Sequence, residues 1–471
     1  MNNFLKKLAG FSLGPVIGAV ISLITIPLTT YFISPSEFGK SSMFLMTLPL
    51  LNIILYLGMD QSFAREYHEE QNKEALFFNA IIIPIVFSCF LCLIFFLFRF
   101  KISSFLFGTD EFYLVSIILG LMLIFSVFER FILMRLRMEE KALEYSLFSI
   151  FVKLTVLIML IILLFFREKN FLIVVYSTII GQIMGDIYLI YRYKTFFGYF
   201  STINLDRTLI KKMLIFGFPL LIAVSLTSFL NTLGTYSIRN WSNFYELGIF
   251  SAGQRIANFL NIIQIAFTSF WVPTAYRWHK QERDINNFKF ISDALLMLMT
   301  IGYFFVILFK DYITVLLSKD YYETKYIIGF LILVPILYTL SETTTLGIVF
   351  SKKSYLNIYI SFLSVITCYG LNFTLVPKIG NKGAAIAIAI AYFVFYSLRT
   401  YFSKKNGFSF STLKHYLTIL LLFFSSMINM YDFKFINFCN ILLLGIALII
   451  QKSTIEELLW YKTNTDKYNF S

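Results

Sequence analysis

The 471-residue chain carries 40 basic and 27 acidic side chains, a net charge of +13, yet only 14% of it is charged while 58% is apolar and 19% aromatic. With a mean hydropathy of +0.74, such a chain has too little polar surface to cover a water-soluble fold, which excludes a soluble enzyme. At roughly 20 residues per crossing, fourteen membrane crossings take about 280 residues, and no connection is left long enough to hold a folded domain.

In chain order, apolar runs bounded by charged or turn residues predict spans over 8–33, 41–64, 76–98, 113–133, 145–166, 172–191 and 214–238. The second half continues with 248–275, 290–316, 326–350, 355–376, 384–402, 416–431 and 436–451. The predicted fold class is an all-α polytopic membrane protein with about 14 transmembrane helices. The last two runs are the shortest, near the lower limit for crossing about 30 Å of hydrocarbon, and leave twelve as the other count. The first run is too long for a signal-peptide core and lacks a small-x-small cleavage site, so it is expected to stay as a span.

Counting Lys and Arg on alternate sides, with the N-terminus inside, puts 26 on the inner side and 12 on the outer; Lys153 and Arg255, within spans, complete the 40. Both termini are therefore expected in the cytoplasm. The basic excess is a topology signal, and no nucleic acid is an expected partner, because no basic segment is backed by a soluble binding fold. The four cysteines, Cys89, Cys92, Cys368 and Cys439, all lie in or beside apolar runs. Even the C-x-x-C of Cys89 and Cys92 reads as two small apolar residues on neighbouring turns, with no cofactor or metal site.

A weak internal repeat is visible. Pro15 precedes Glu37 by 22 residues and Pro219 precedes Glu246 by 27, so that Gly39 and Gly248 align as helix openers in the two halves. Repeats in polytopic transporters mark two bundles that rock about a shared site.

The segments "GFSLGPVIGAVISLITIPLTTYFISPSEFGKSSM", "LGMDQSFAREYHEE" and "LVPKIGNKGAAIAIAI" resemble the polysaccharide-transporter branch of the multidrug, oligosaccharidyl-lipid and polysaccharide exporter superfamily, in particular O-antigen or capsule repeat-unit flippases. The sharpest pieces are Pro35, Glu37, Phe38 and Gly39; Gly58, Asp60 and Arg65; and Pro377, Gly380, Gly383, Ala384 and Ala385. These are architectural motifs. The resemblance implies two six-helix lobes enclosing a cavity that opens alternately to either side, plus two C-terminal helices. The expected division is 1–192 for the first lobe, 193–213 for a cytoplasmic connection, 214–403 for the second lobe and 404–471 for the extra helices and tail.

Ionisable groups deep in a span are costly unless they face a cavity or a partner, so they are the default site candidates. In span eight Gln254, Asn258, Asn261 and Gln264 form a polar stripe with Arg255 at its edge. Span seven repeats the pattern with Ser228, Thr232, Thr235 and Arg239, and Asn231 lies beside it. Two such stripes on consecutive helices would line one vestibule suited to an anionic cargo, arginine forks gripping phosphate while Asn and Gln bond to sugars. The alternatives are that Arg239 snorkels to the interface and that Arg255 serves helix packing or an ion pair. Lys153 and Asp186 lie at matched depth in spans five and six and either pair with each other or meet cargo. Glu342, an isolated acid in span ten, either balances an arginine or exchanges a proton or sodium ion; with Asp186 it is the candidate for ion coupling.

An enzyme is not expected. His68, His279 and His415 all fall in inner segments, His68-Glu69-Glu70 lacks the second histidine of a zinc protease motif, and no outer loop is long enough to hold a polymerase or transferase site. The expected function is a flippase for an undecaprenyl-diphosphate-linked oligosaccharide in the bacterial inner membrane; the alternative is a cation-coupled small-molecule exporter on the same fold. Expected partners are the lipid-linked oligosaccharide, the membrane, and the polymerase and chain-length regulator of the same pathway.

Overall fold

A computed structural model describes residues 2–166, 169–198 and 205–463. Part of the predicted inter-lobe connection (199–204), the tail beyond 463 and the side chains of Lys6, Lys7 and Pro15 lie outside the described residues. The chain divides into two compact units, Met1–Phe229 and Leu230–Ser471. The first holds α1 (Asn2–Phe32), α2 (Pro35–Leu55), α3 (Met59–Glu66), α4 (Lys73–Leu97), α5 (Arg99–Phe107), α6 (Tyr113–Met138), α7 (Ala142–Phe166) and α8 (Leu172–Arg192). The division falls inside α9 (Arg207–Trp241). The second unit holds α10 (Phe244–Ala257), α11 (Leu260–Lys280), α12 (Ile285–Leu308), α13 (Lys310–Val315), α14 (Ile328–Thr344), α15 (Leu346–Phe350), α16 (Tyr355–Lys405), α17 (Leu413–Ile428), α18 (Ile436–Ile450) and α19 (Lys452–Thr463).

Among the described residues nine helical segments are long and apolar enough to cross a membrane, and two bent pairs and two shorter apolar helices add four. One of the nine, α16, is 51 residues long and consists of two helices joined at Ile379 and Gly380, where the backbone leaves helical geometry. The fourteen predicted runs all fall on helices, of which nine, or eleven with the bent pairs, are long and apolar enough to cross a membrane among the described residues. Large apolar side chains such as Phe165, Ile215, Phe438 and Ile449 stand exposed along these helices, as lipid-facing surfaces require.

The repeat seen in the sequence has a structural basis. Ser34 caps α2, with Pro35 at the first helical position, and Asn243 caps α10 by accepting from the Glu246 amide at 2.9 Å. One turn into each helix a glutamate reaches across its own unit. Glu37 Oε2 accepts from the backbone N–H of Phe171, at the start of α8, at 3.0 Å. Glu246 Oε2 accepts from the backbone N–H of Asn381, at the start of the second half of α16, at 2.9 Å. Each glutamate thus satisfies an unpaired amide at a helix N-terminus, where negative charge is also favoured by the peptide dipoles. Gly380 has φ +54°, and any Cβ there would run into the Glu246 carboxylate, so this turn requires glycine.

The first turns of α9 belong to the first unit because they pack on α3. Ser62 Oγ donates to the Met213 carbonyl at 2.6 Å, and Lys212 pairs with Glu66. Gly58, at φ +73°, and Gly217 meet backbone to backbone, a side chain on either being blocked by the other's carbonyl. In the second unit Trp271, Trp278, Phe288 and Leu346 form a buried aromatic core. Buried Lys325 joins Asp311 at 3.3 Å and Asp432 at 2.5 Å, tying the segment before α14 to the turn between α17 and α18.

Candidate functional site

The long span predicted over 248–275 is broken. α10 ends at Ala257 and α11 starts at Leu260, and between them Phe259, Asn261 and Ile262 donate to carbonyls three residues back (Ile256, Asn258 and Phe259) at 3.1 Å. Such a break, tighter than an α-helix, frees backbone groups and exposes polar side chains that a continuous span would not carry. Asn258 sits at the break and is exposed, and Asn261 Nδ2 donates to its Oδ1 at 3.0 Å. Gln254, one turn earlier, reaches the Asn231 carbonyl at 3.5 Å, and Tyr392 of α16 donates to Asn231 Oδ1 at 2.5 Å. Asn231, Gln254, Asn258 and Asn261 therefore form one amide-rich patch within the second unit. Gln264 lies further along α11 and is half-buried.

Arg255 follows Gln254 on α10. It is partly buried, with the hydroxyl of the fully buried Tyr321 as an electrostatic neighbour. Arg239 is also partly buried and lies over the Phe244 ring, 4.7 Å from its centroid. The hydroxyl stripe expected beside it turns inward: Thr232 and Thr235 are buried and Asn231 is exposed. On α9 the exposed polar group is thus the amide, because the small hydroxyls fill helix-packing positions.

Glu342, isolated in the sequence, is paired in the fold. Arg399 Nη1 donates to Glu342 Oε1 at 2.6 Å and to Ser341 Oγ at 3.0 Å, and its guanidinium lies over the Phe395 ring at 4.4 Å. Both partners are mostly buried, at 13% and 12% side-chain exposure. The arginine that balances Glu342 is Arg399, which in the sequence reads as a base flanking the membrane. On α16 Ser361, Ser364 and Cys368 are buried inside the unit.

In the first unit Lys153 and Asp186 do not pair. Lys153 of α7 points to α1, where its ammonium lies against Gly18, and no carboxylate of the described residues is within ion-pair distance. Asp186 of α8 turns instead to α6. Gln182 Nε2 donates both to Asp186 Oδ1 at 3.0 Å and to Glu129 Oε2 at 2.8 Å. Glu129 went unnoticed although it lies inside the predicted fourth span, and its signal was an acid among apolar residues in "IFSVFER". Asp60 is held by Arg130, whose Nη2 lies 2.5 Å from its Oδ2. Arg65 stacks on Phe216 at 4.2 Å.

His415 Nε2 lies 2.9 Å from Ser292 Oγ, and the adjacent Asp293 accepts from Lys289 at 2.8 Å and Lys414 at 2.9 Å. All three of Ser292, Asp293 and His415 are fully buried. The network ties α12 to α17.

Broken helices, lipid-facing apolar surfaces and a polar patch within a helical unit define a multi-pass all-α membrane protein with the architecture of membrane transporters. The sequence matches the family model described as "Polysaccharide biosynthesis protein" over residues 4–279, more than half of its length. The chain belongs to that family, within the polysaccharide-transporter branch of the superfamily noted above. Its fold is similar to that of the lipid II flippase MurJ in an inward closed conformation, with a TM-score of 0.69 and 16% identity over 96% of this chain and 99% of that one. It is also similar to an inward-facing multidrug resistance MATE family transporter of the MOP superfamily, with a TM-score of 0.60 and 15% identity over 82% and 97%. A third similar structure is a MOP superfamily transporter from Pyrococcus furiosus, with a TM-score of 0.53 and 13% identity over 85% and 95%. At these identities the likeness is one of fold. No curated protein sequence matches the chain.

Proposed function

We propose that the chain is a flippase that moves an undecaprenyl-diphosphate-linked oligosaccharide repeat unit across a bacterial inner membrane by alternating access, with both termini in the cytoplasm. The observation that carries this reading is the patch of Asn231, Gln254, Asn258 and Asn261 at a broken span, with Arg255 following Gln254 in the same helix. Amides donate and accept, which matches the many hydroxyls of a sugar chain, and a guanidinium fork matches diphosphate oxygens. Membership of a polysaccharide biosynthesis family supports a glycan as cargo.

In this reading residues 1–192 and 214–403 act as the two lobes, 193–213 connects them, and 404–471 adds two helices and a tail. Arg239 and Lys153 are further cationic candidates for cargo contact, each within its own unit. Glu342 and Asp186 are the coupling candidates, and the Arg399 partner gives Glu342 a fixed counter-ion that Asp186 lacks. The O-antigen or capsule pathway supplies the partners, a repeat-unit polymerase and a chain-length regulator.

Replacing Arg255 tests the cargo contact. Arg255→Ala is expected to abolish glycan export with protein abundance near normal, and Arg255→Lys to rescue it partly, because a point charge replaces a fork. Full export by Arg255→Ala contradicts the cationic contact, and transport of an organic cation in place of the glycan favours the exporter.

A further inference from the structure

One amide serves two acids in the first unit. Gln182 Nε2 bonds to Glu129 Oε2 at 2.8 Å and to Asp186 Oδ1 at 3.0 Å, so the two accepting oxygens are at most the sum of these distances, 5.8 Å, apart. Carboxylates only accept, so the NH₂ end of the amide faces both of them. Asp186 is fully buried, and its Oδ2 has no hydrogen-bond partner. Glu129 and Gln182 are partly exposed.

The neighbouring cations are engaged elsewhere. Arg130, beside Glu129 on α6, places Nε and Nη2 on Asp60 Oδ2 of α3, at 3.0 and 2.5 Å. Arg135 binds Glu74 and Glu139 at 3.0 and 2.9 Å. Lys153 of α7 lies against Gly18 of α1. Where α7 packs on α8, at Gly181 and Gly185, it presents Val156, Val152 and Phe148. From the end of α2, Tyr56 faces the pair electrostatically, but its hydroxyl donates to the Ser126 carbonyl at 3.3 Å. On the Arg130 side α7 contributes the neutral phenol of Tyr145. Two carboxylates within membrane spans, bridged by a neutral amide, are short of one positive charge.

We propose that Glu129, Gln182 and Asp186 form a proton-exchange site in which the two carboxyls hold one proton between them and trade it with water through Glu129. The only bonds that change are O–H bonds: a hydronium or water gives a proton to a carboxylate oxygen and later takes it back. A metal ion fits less well, since the amide oxygen points away from the acids and a cation would lack a cage of oxygens. The role of this proton in driving transport rests on the flippase reading; its presence does not.

Two measurements separate these parts. Purified full-length protein titrated from about pH 9 to about pH 5.5 is expected to take up about one proton more than the Glu129→Gln/Asp186→Asn double variant. Equal uptake overturns the site. If Asp186→Asn does not fold, Glu129→Gln, at the partly exposed position, carries the comparison alone. In vesicles, a pH gradient is expected to accelerate flipping of the lipid-linked oligosaccharide by the wild type. Both single variants and the double variant should lose that acceleration equally, because either loss dismantles one unit. Additive losses, or acceleration by a sodium gradient at fixed pH in place of the proton gradient, overturn the proposal. A one-proton difference in a protein that flips nothing upholds the site and overturns only the cargo.

Discussion

Removing Glu37 or Glu246 tests the idea that each unit is closed by the same cap. Each carboxylate accepts one backbone N–H, from Phe171 at 3.0 Å and from Asn381 at 2.9 Å. A hydrogen bond to a charged group contributes about 1.5–3 kcal/mol, and alanine leaves the amide unsatisfied, so Glu37→Ala and Glu246→Ala should each cost about that much. Glutamine keeps an accepting oxygen without the charge and should cost about half. For units the size of Met1–Phe229 and Leu230–Ser471, a loss of 1 kcal/mol lowers the melting temperature by about 2–4 °C, which predicts drops of about 3–12 °C for the alanine variants. Fluorescence-monitored melting of purified protein in detergent reads this directly. Glu37 also pairs with Lys40 at 2.7 Å, both partners about a quarter exposed, and a pair of that kind contributes less than about 1 kcal/mol. Lys40→Ala is the control. If Glu37→Ala costs no more than Lys40→Ala, or if glutamine costs as much as alanine at position 246, the cap is not what closes the unit.

Breaking the Glu342–Arg399 pair with Glu342→Ala should cost about 3–5 kcal/mol, since it strands a mostly buried guanidinium; melting curves of this variant and of Glu342→Ala/Arg399→Leu should show the double variant recovering part of the loss. Gly58→Ala combines a left-handed backbone with a collision against Gly217, and should cost at least about 2 kcal/mol. A yield of monodisperse protein equal to wild type would contradict that close approach.

The helices were legible because lipid imposes a strong one-dimensional signal: a run of about 20 apolar residues with charged ends reads directly as a span. The repeat was legible through Glu37 and Glu246 because the same local cap recurs at the same place in each half. What stayed hidden was pairing across helices. Spacing alone gave Lys153 and Asp186 matched depth, but rotation about the helix axes turns one toward α1 and the other toward α6. Arg399 and Glu342 are 57 residues apart, and neither residue's context in the sequence names the other. The amide patch was half legible: the i+4, i+3 stripe on span eight was visible, whereas the break at Asn258 and the contribution of Tyr392 arise only from packing.

The central claim, movement of a diphosphate-linked glycan, is tested most directly by reconstituting the purified protein into vesicles that carry an undecaprenyl-diphosphate oligosaccharide in the inner leaflet alone. The fraction that becomes accessible to an external glycan-binding probe is then followed over time. The account predicts that the fraction rises with wild-type protein and that Arg255→Ala reduces the rate to that of protein-free vesicles. A wild-type rate equal to that of protein-free vesicles would contradict it.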